Sequence, residues 1–372
     1  MKLVHRYVLG EILVPLALWV VFLFLILLVL QFLRGTDVLL GSAVRGWDLL
    51  WMLAYLTPQF LLMAVPVALL LAILIGMGRL SEDREVAALQ AVGTGPLQLL
   101  VAPLLVGVVL CGLMGFLGTR AVPWGLAEMK VLINDVIKRN VVGDVKPGVF
   151  YEDLSQLTLY AEEVSGTGWR HVLLHDSRDP ESPLLVLARQ GAVDAAGGGA
   201  ALELRLFQGE VHRDSVQGGD YALLEFEEGR ISVGLESAIQ RKNRYRSPKE
   251  ELTPDELRAA AVEAEAAGED GRPFLIAWHE RWAQALLPLA FCLLGTPLAL
   301  GRRGGGRSGG RGFGFLLTLF AYVAYYVMVR GSEQLALREL LPIWLAAHLT
   351  NLVFAGIGGL LLWRMSHRGT AG

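Results

Sequence analysis

Apolar positions cluster into six long stretches, Ile12–Leu33, Leu49–Gly78, Leu97–Gly118, Ala283–Leu300, Phe313–Val329 and Leu340–Trp363, none of which contains an Asp, Glu, Lys or Arg. Lipid offers no partner for exposed backbone N–H and C=O groups, so a run approaching the ~20 residues that cross a bilayer as an α-helix is read as a span. Six transmembrane helices are therefore expected. The fifth run is the shortest, but Tyr322, Tyr325 and Tyr326 near one end suit an interfacial belt, and Arg330 closes it at the headgroup layer. Trp278, Trp282 and Arg302 bound the fourth in the same way. The first run exceeds the apolar region of a secretory signal, and Phe32-Leu33-Arg34 is no small-residue cleavage site, so it reads as a retained helix.

Between the third and fourth runs, over about residues 121–276, the pattern changes. Alternating or short continuous apolar runs occur at Leu157–Tyr160, His171–His175, Leu184–Ala188, Ala201–Phe207 and Tyr221–Phe226, separated by Gly, Asp, Ser and Pro clusters such as Asp194–Gly199 and Gln217–Asp220. Short strands at such spacing predict a sandwich or jelly roll. After them, Thr253-Pro254-Asp255-Glu256 combines an N-cap threonine, a proline at N1 and a glutamate at N3, which predicts a short helix over about 254–267. The expected fold is a membrane α-helical protein of six spans with an inserted all-β, jelly-roll-like domain. Its parts are residues 1–120 with spans one to three, 121–276, and 277–372 with spans four to six.

The polar segment between spans two and three predicts one more helix, over about 81–93. Ser81 can cap it, Glu82, Asp83 and Glu85 suit a positive helix N-terminus, and Gly93 can end it. Glu85, Leu89 and Val92 fall at i, i+4 and i+7, placing a charge and two apolar anchors on one face with Glu82 and Arg84 beside it. Acids outnumber bases here, so an anionic inner leaflet would repel the helix, and a groove on a partner protein suits it better.

Composition agrees with a bilayer protein: of 372 residues 53% are hydrophobic and 19% charged. The net charge of −3, from 33 basic and 36 acidic residues, gives no basic excess for nucleic acid. Six spans put both termini on one side. One set of connecting segments then holds ten basic residues, Lys2, Arg6, Arg79, Arg84, Arg302, Arg303, Arg307, Arg311, Arg364 and Arg368, and the short segments opposite hold four, Arg34, Arg45, Arg330 and Arg338. The positive-inside rule places the termini in the cytoplasm and the β domain outside.

Chemistry-bearing constellations are sparse. Gly301-Arg302-Arg303-Gly304-Gly305-Gly306-Arg307-Ser308 imitates a phosphate-binding loop, but it has arginine in place of the lysine and follows an apolar helix rather than a strand. His279-Glu280 opens like a zinc-protease helix but lacks a second histidine at Ala283. Cys111 and Cys292 lie in apolar runs without metal-ligand neighbours. His348, Thr350 and Asn351 in the sixth span suit interhelical bonding. No metal site, cofactor or catalytic centre is expected in this chain, and any ATP-driven work must come from another. Arg34, at the outer end of span one, can anchor that helix at the interface or pair with a lipid phosphate.

With Arg79-Leu80-Ser81-Glu82-Asp83-Arg84-Glu85-Val86-Ala87-Ala88-Leu89-Gln90-Ala91-Val92-Gly93 between spans two and three, the arrangement of three spans, an outer β domain and three more spans resembles the LptF/LptG lipopolysaccharide export permease family over nearly its full length. The opening His5-Arg6-Tyr7-Val8 and the stretch Trp278–Pro288 are also similar, the latter nearer to LptF than to LptG. The resemblance implies a subunit of an ATP-binding-cassette machine in the inner membrane of a Gram-negative bacterium, extracting lipopolysaccharide for outer-membrane biogenesis. Its partners would be a sister permease, an LptB-type ATPase dimer that binds ATP and Mg, an LptC-type single-span protein and a periplasmic LptA-type bridge. Glu85 matches the acid of the family's coupling loop, with Glu82, Arg84 and Leu89 as its neighbours, and Arg34 and Arg330 become candidates for lipid binding or gating. Family members often carry more than one basic residue near the outer end of span one, where this chain has Arg34 alone before Arg45. A lipoprotein-releasing permease is the rival, although such proteins usually place their soluble domain after the first span. A non-transporting envelope tether, needing no ATPase, is the other.

Overall fold

The computed structural model describes residues 2–39, 46–144, 147–154, 157–165, 168–177, 183–196, 201–214, 221–233, 248–301 and 311–368. The glycine- and arginine-rich candidate loop beyond Gly301, with Arg302, Arg303 and Arg307, and Arg45 lie outside the described residues. Two compact units emerge: residues 1–33, 56–125 and 248–372 form one, and 34–55 and 126–247 the other.

Helices dominate the first unit. They are α1 (Lys2–Leu39), α2 (Gly46–Glu82), the short α3 (Glu85–Ala91), α4 (Pro96–Phe116), α5 (Val122–Asp144), α6 (Pro254–Ala266), α7 (Arg272–Leu300), α8 (Arg311–Leu337) and α9 (Ile343–Arg368), of which α1, α2 and α5 extend into residues of the second. Among the described residues six helical segments, Leu3–Gln31, Gly46–Glu82, Pro96–Ile133, Arg272–Leu300, Gly314–Leu337 and Ile343–His367, are long and apolar enough to cross a membrane. The third is longer than the apolar run that announces it. A π-helical turn at Leu117–Ala121 joins α4 to α5 without a break, its Thr119 hydroxyl donating to the Gly115 carbonyl at 2.7 Å. A π-bulge accommodates the extra residue that would otherwise end the helix. The segment expected to be β from residue 121 therefore begins as helix through Asp144.

Helix α7 is the hub. Phe291 is fully buried, its ring 5.9 Å from Tyr325 of α8 and 6.0 Å from Phe354 of α9. Cys292 donates its thiol to the Pro103 carbonyl of α4 at 3.1 Å, and Asn351 of α9 donates to the Ala283 carbonyl at 2.7 Å. In lipid no hydrophobic effect drives helices together, so close packing through small residues and such bonds must hold them. Helix α6 folds back on α7, burying Leu257 and Ala261, with the Arg258 guanidinium 4.1 Å over the Trp278 ring.

The capping box expected for α6 is present: the Thr253 backbone N–H and hydroxyl each donate to Glu256 Oε2 at 2.7 Å, and the Glu256 N–H donates to the Thr253 hydroxyl at 3.4 Å. These bonds, led by the Thr253 N–H, hold the Glu256 carboxyl below the usual carboxylate range. A depressed pKa gives stabilisation that is complete above the unfolded value, about 4.3, and is lost as pH falls through the folded one. Hydrogen exchange across the first turn of α6, taken relative to the intrinsic amide rate at each pH, should therefore speed up on acidification below pH ~4. Thr253→Ala should speed it at neutral pH, removing about 1 kcal/mol of capping.

The second unit is built on a six-stranded antiparallel sheet, β1 (Phe150–Leu154), β2 (Leu157–Ser165), β3 (Gly168–Asp176), β4 (Leu184–Ala196), β5 (Ala201–Asp214) and β6 (Tyr221–Val233), paired in chain order. The inserted β domain expected from the sequence is present, and its six described strands form one antiparallel sheet paired in chain order. Its core is Leu157, Leu159, Trp169, Leu174, Val186 and Leu206 with their neighbours.

Pairing skips one residue on each of five strands: Glu162, His171, Arg189, Gln208 and Glu227. Two of these, His171 (φ 49°) and Gln208 (φ 52°), adopt the left-handed region. Strict alternation puts residues of one parity on one face. Here Trp169 is buried before the kink and Val172 and Leu174 after it, so the kink changes parity and keeps both halves of the strand facing one core.

Candidate functional site

The polar corner between α2 and α4 gathers the candidate coupling residues. Ser81 lies in the last turn of α2 and does not cap the next helix, contrary to expectation, because α2 continues to Glu82. The break comes at Arg84, which takes the left-handed conformation (φ 59°, ψ 13°) as the N-cap of α3. Asp83 N donates to Arg79 O at 2.9 Å and Arg84 N to Ser81 O at 3.2 Å, closing the turn. Left-handed backbone costs a residue with a Cβ roughly 1–2 kcal/mol. Arg84→Gly should therefore raise thermal stability slightly and Arg84→Val should lower it. If the guanidinium itself engages a partner, the glycine variant will lose partner binding while remaining the more stable chain.

Gly93 ends α3, as its position predicts. At φ 91° it lets Thr94 N reach Leu89 O at 3.0 Å and its own N–H reach Gln90 O at 3.0 Å, satisfying carbonyls that the helix leaves open. Gly95 then starts α4, its N–H donating to Gln98 Oε1 at 3.2 Å with Pro96 in the first turn.

Glu82, Arg84, Glu85 and Leu89 all belong to this corner, but not to one open face. Glu82, Asp83 and Arg84 are exposed and Glu85 is half-buried. Leu89 packs against the helical core beside buried Val86, so of the two expected apolar anchors Val92 is the outward one, at 80% exposure. The inward pair is Val86 and Leu89, at i and i+3, a spacing that serves a helix face as well as i, i+4 does.

Glu85 is not isolated. The Tyr7 hydroxyl of α1 donates to its Oε2 at 2.8 Å. One helical turn along α1, Glu11 pairs with Arg79 of α2. Tyr7 and Arg79 stand in the stretches that carry the family resemblance but receive no role there, and the sequence pattern does not single out Glu11, although Tyr7 and Glu11, four apart ahead of the long apolar run, carry the signal. Arg330 lies on α8, where its Nη1 donates to Glu333 Oε2 at 2.6 Å and its guanidinium stands 5.4 Å from the Tyr326 ring centroid. Its charge is already paired within its own helix. The backbone of Arg34 is part of α1, and its side chain lies outside the described residues.

Residues 6–364 match the family of the lipopolysaccharide export system permease LptF/LptG. The chain belongs to that family. With six helices among the described residues long and apolar enough to cross a membrane, it is a multi-pass inner-membrane protein of a lipopolysaccharide export permease family. The chain is also similar to a Rickettsia prowazekii (strain Madrid E) protein, the uncharacterized RP871, with 20% identity over 167 residues. That match covers 45% of this chain and about half, 46%, of the relative. Within the LptF/LptG match lie both the corner at α3 and the inserted sheet.

Proposed function

We propose that this chain is one of two sister permeases of an ATP-binding-cassette transporter that extracts lipopolysaccharide from the inner membrane and passes it to a periplasmic bridge. Its termini and the α3 corner face the cytoplasm of a Gram-negative cell, and the sheet faces the periplasm. An LptB-type ATPase dimer holding ATP and Mg docks on Glu82, Arg84, Glu85 and Leu89. An LptC-type single-span protein joins the permease pair, and an LptA-type bridge receives the lipid. The observation that carries this reading is the family match across residues 6–364, and the exposure of Glu82, Asp83 and Val92 on the link between α2 and α4 supports it.

In mechanism, the chain supplies no bond-breaking chemistry. Nucleotide binding in the ATPase moves α3, α3 moves the spans, and lipid rises between the sister permeases toward the sheet. Arg34 is the proposed phosphate contact at the outer end of α1. Arg330 is already charge-paired with Glu333, which weakens its pull on a second anion, although a guanidinium has five N–H donors and can share them with a lipid phosphate.

The test is purification from native membranes in detergent, with co-purifying proteins and lipid identified by mass spectrometry. A soluble ATPase, a second six-span chain and lipopolysaccharide are the expected companions. An ATPase with lipoprotein would point to a lipoprotein-releasing permease, and the absence of any ATPase would leave an envelope tether.

A further inference from the structure

We propose that Tyr7 is a positioning residue that ties the α3 corner to α1 by holding the Glu85 carboxylate, so that a push on α3 is delivered to the least packed span. The inference rests on the coupling role proposed for Glu85 and adds the route by which the push travels.

Among the described residues the buried side chains of α1 lie at one end, and further along the helix is only partly covered, as where Trp19 meets Phe315 and Phe24 meets Phe60. Val8, Ile12 and Leu16 are buried in the helical core, whereas Leu18, Val21, Leu25 and Val29 further along are exposed. The same end holds the polar contacts to α2 and α3: Tyr7 to Glu85, and Glu11 to Arg79. At Glu11 itself α1 also meets the backbone of α2 closely. A Cβ on Gly76 would stand 2.2 Å from the Glu11 carbonyl oxygen, so the two backbones touch there. Pro15 makes that approach possible. Lacking an N–H, it leaves the Glu11 carbonyl four residues back without its helical donor, and glycine offers a Cα hydrogen to an oxygen in that position.

Helix α1 is thus pinned at Glu11 against Gly76, with Tyr7 one turn, about 6 Å of helix, to one side and the loosely packed length on the other. Movement of α3 has a direct bonded route to α1 in the Tyr7 hydroxyl. A carboxylate offers about four acceptor sites, so the tyrosine bond leaves Glu85 able to accept from a cationic or hydroxyl group of a docked partner as well. One side chain can then face the partner and grip α1 together.

The experiment uses the intact transporter with its ATPase and sister permease, reconstituted in vesicles containing labelled lipopolysaccharide, and compares wild type, Y7F, E85Q and Y7F/E85Q. Phenylalanine keeps the ring of this partly exposed residue and removes the bond alone. We expect Y7F to retain the ATPase at wild-type stoichiometry and to reduce ATP-driven lipid release about fivefold or more, in the wild-type background and, because glutamine keeps an acceptor oxygen for Tyr7, on top of E85Q as well. A readout that a merely structural role would not move is the ATP-dependent distance between spin labels at Leu25→Cys on α1 and Val109→Cys on α4, with Cys111 and Cys292 replaced by alanine. That distance should change with ATP in wild type and stay fixed in Y7F. Wild-type release by Y7F, an ATP response that persists in Y7F, or loss of the ATPase from Y7F would each overturn the inference. If E85Q impairs release and Y7F does not, the Tyr7 route alone fails. If E85Q is also without effect, the coupling role of Glu85 fails with it.

Discussion

Glu85→Lys should uncouple the chain from its ATPase while leaving it inserted and folded. The reversal removes the acceptor for Tyr7 and sets a second cation next to Arg84, at the corner proposed to meet the partner. Losing one member of a hydrogen-bonded charge pair at an interface costs about 2–5 kcal/mol, and each 1.4 kcal/mol is about tenfold in affinity. Recovery of the ATPase with the purified chain should therefore fall by more than tenfold. Quantitative mass spectrometry of the purified complex measures this, with the yield of membrane-inserted chain as the control. Glu82→Lys, on an exposed side chain one turn earlier, should cost much less, because exposed ion pairs are worth about 0–1 kcal/mol. Equal effects of the two substitutions would mean that the corner acts through net charge and that Glu85 has no particular place in it.

The spans, five of the six described strands and the extra helix between spans two and three were legible in the chain, because lipid and a one-sided sheet impose periodicities that a sequence must display. Where apolar runs were interrupted the reading fell short. Val122, Leu126, Met129, Ile133 and Val136 are buried at spacings of four and three along α5. Yet Arg120 and Pro123 break the apolar run there, and the π-helical turn that carries the helix through leaves no compositional mark. β1 is only five residues long and reads Phe-Tyr-Glu-Asp-Leu, too short and too acidic to announce itself. The parity change in β3 depends on the left-handed backbone of His171, a conformation that no alternation pattern encodes.

At the candidate site the residue identities were legible and their grouping was not. The spacing rule placed Glu85, Leu89 and Val92 together, but a helix of seven residues wedged between two spans must bury whichever side meets the core, and Val86 with Leu89 does so. Tyr7 is 78 positions from Glu85 along the chain, a pairing that only the crossing of α1 over α2 creates. Arg330 was assigned to lipid by its place at the end of a span. The acid three residues on, Glu333, is visible in sequence, and its geometry decides that the pair forms.

The second large effect is expected deep in the helical unit, at Gly358. A Cβ there would stand 2.3 Å from the Leu293 carbonyl oxygen and 2.7 Å from the Leu294 nitrogen, so α9 meets the backbone of α7 where even a methyl group has no room. Backbone atoms cannot swing aside as a side-chain tip can, and the two helices must separate. Overpacking of this kind costs ~1–3 kcal/mol or more, and the separation also strains neighbouring contacts, among them the Phe291–Phe354 ring pair and the Asn351 bond to Ala283. Gly358→Ala should lower the thermal midpoint of the detergent-purified chain by several degrees, and Gly358→Leu should prevent recovery of folded protein. The neighbouring Gly359 supplies the contrast: nothing lies within 4 Å of its added Cβ. There alanine should be neutral or stabilising by up to about 1 kcal/mol, since glycine is the poorer helix former. Thermal unfolding of the two single variants side by side separates a packing requirement at one position from a general intolerance of α9 to substitution. If Gly359→Ala destabilises as much as Gly358→Ala, the close approach of α9 to α7 is not what holds the bundle together.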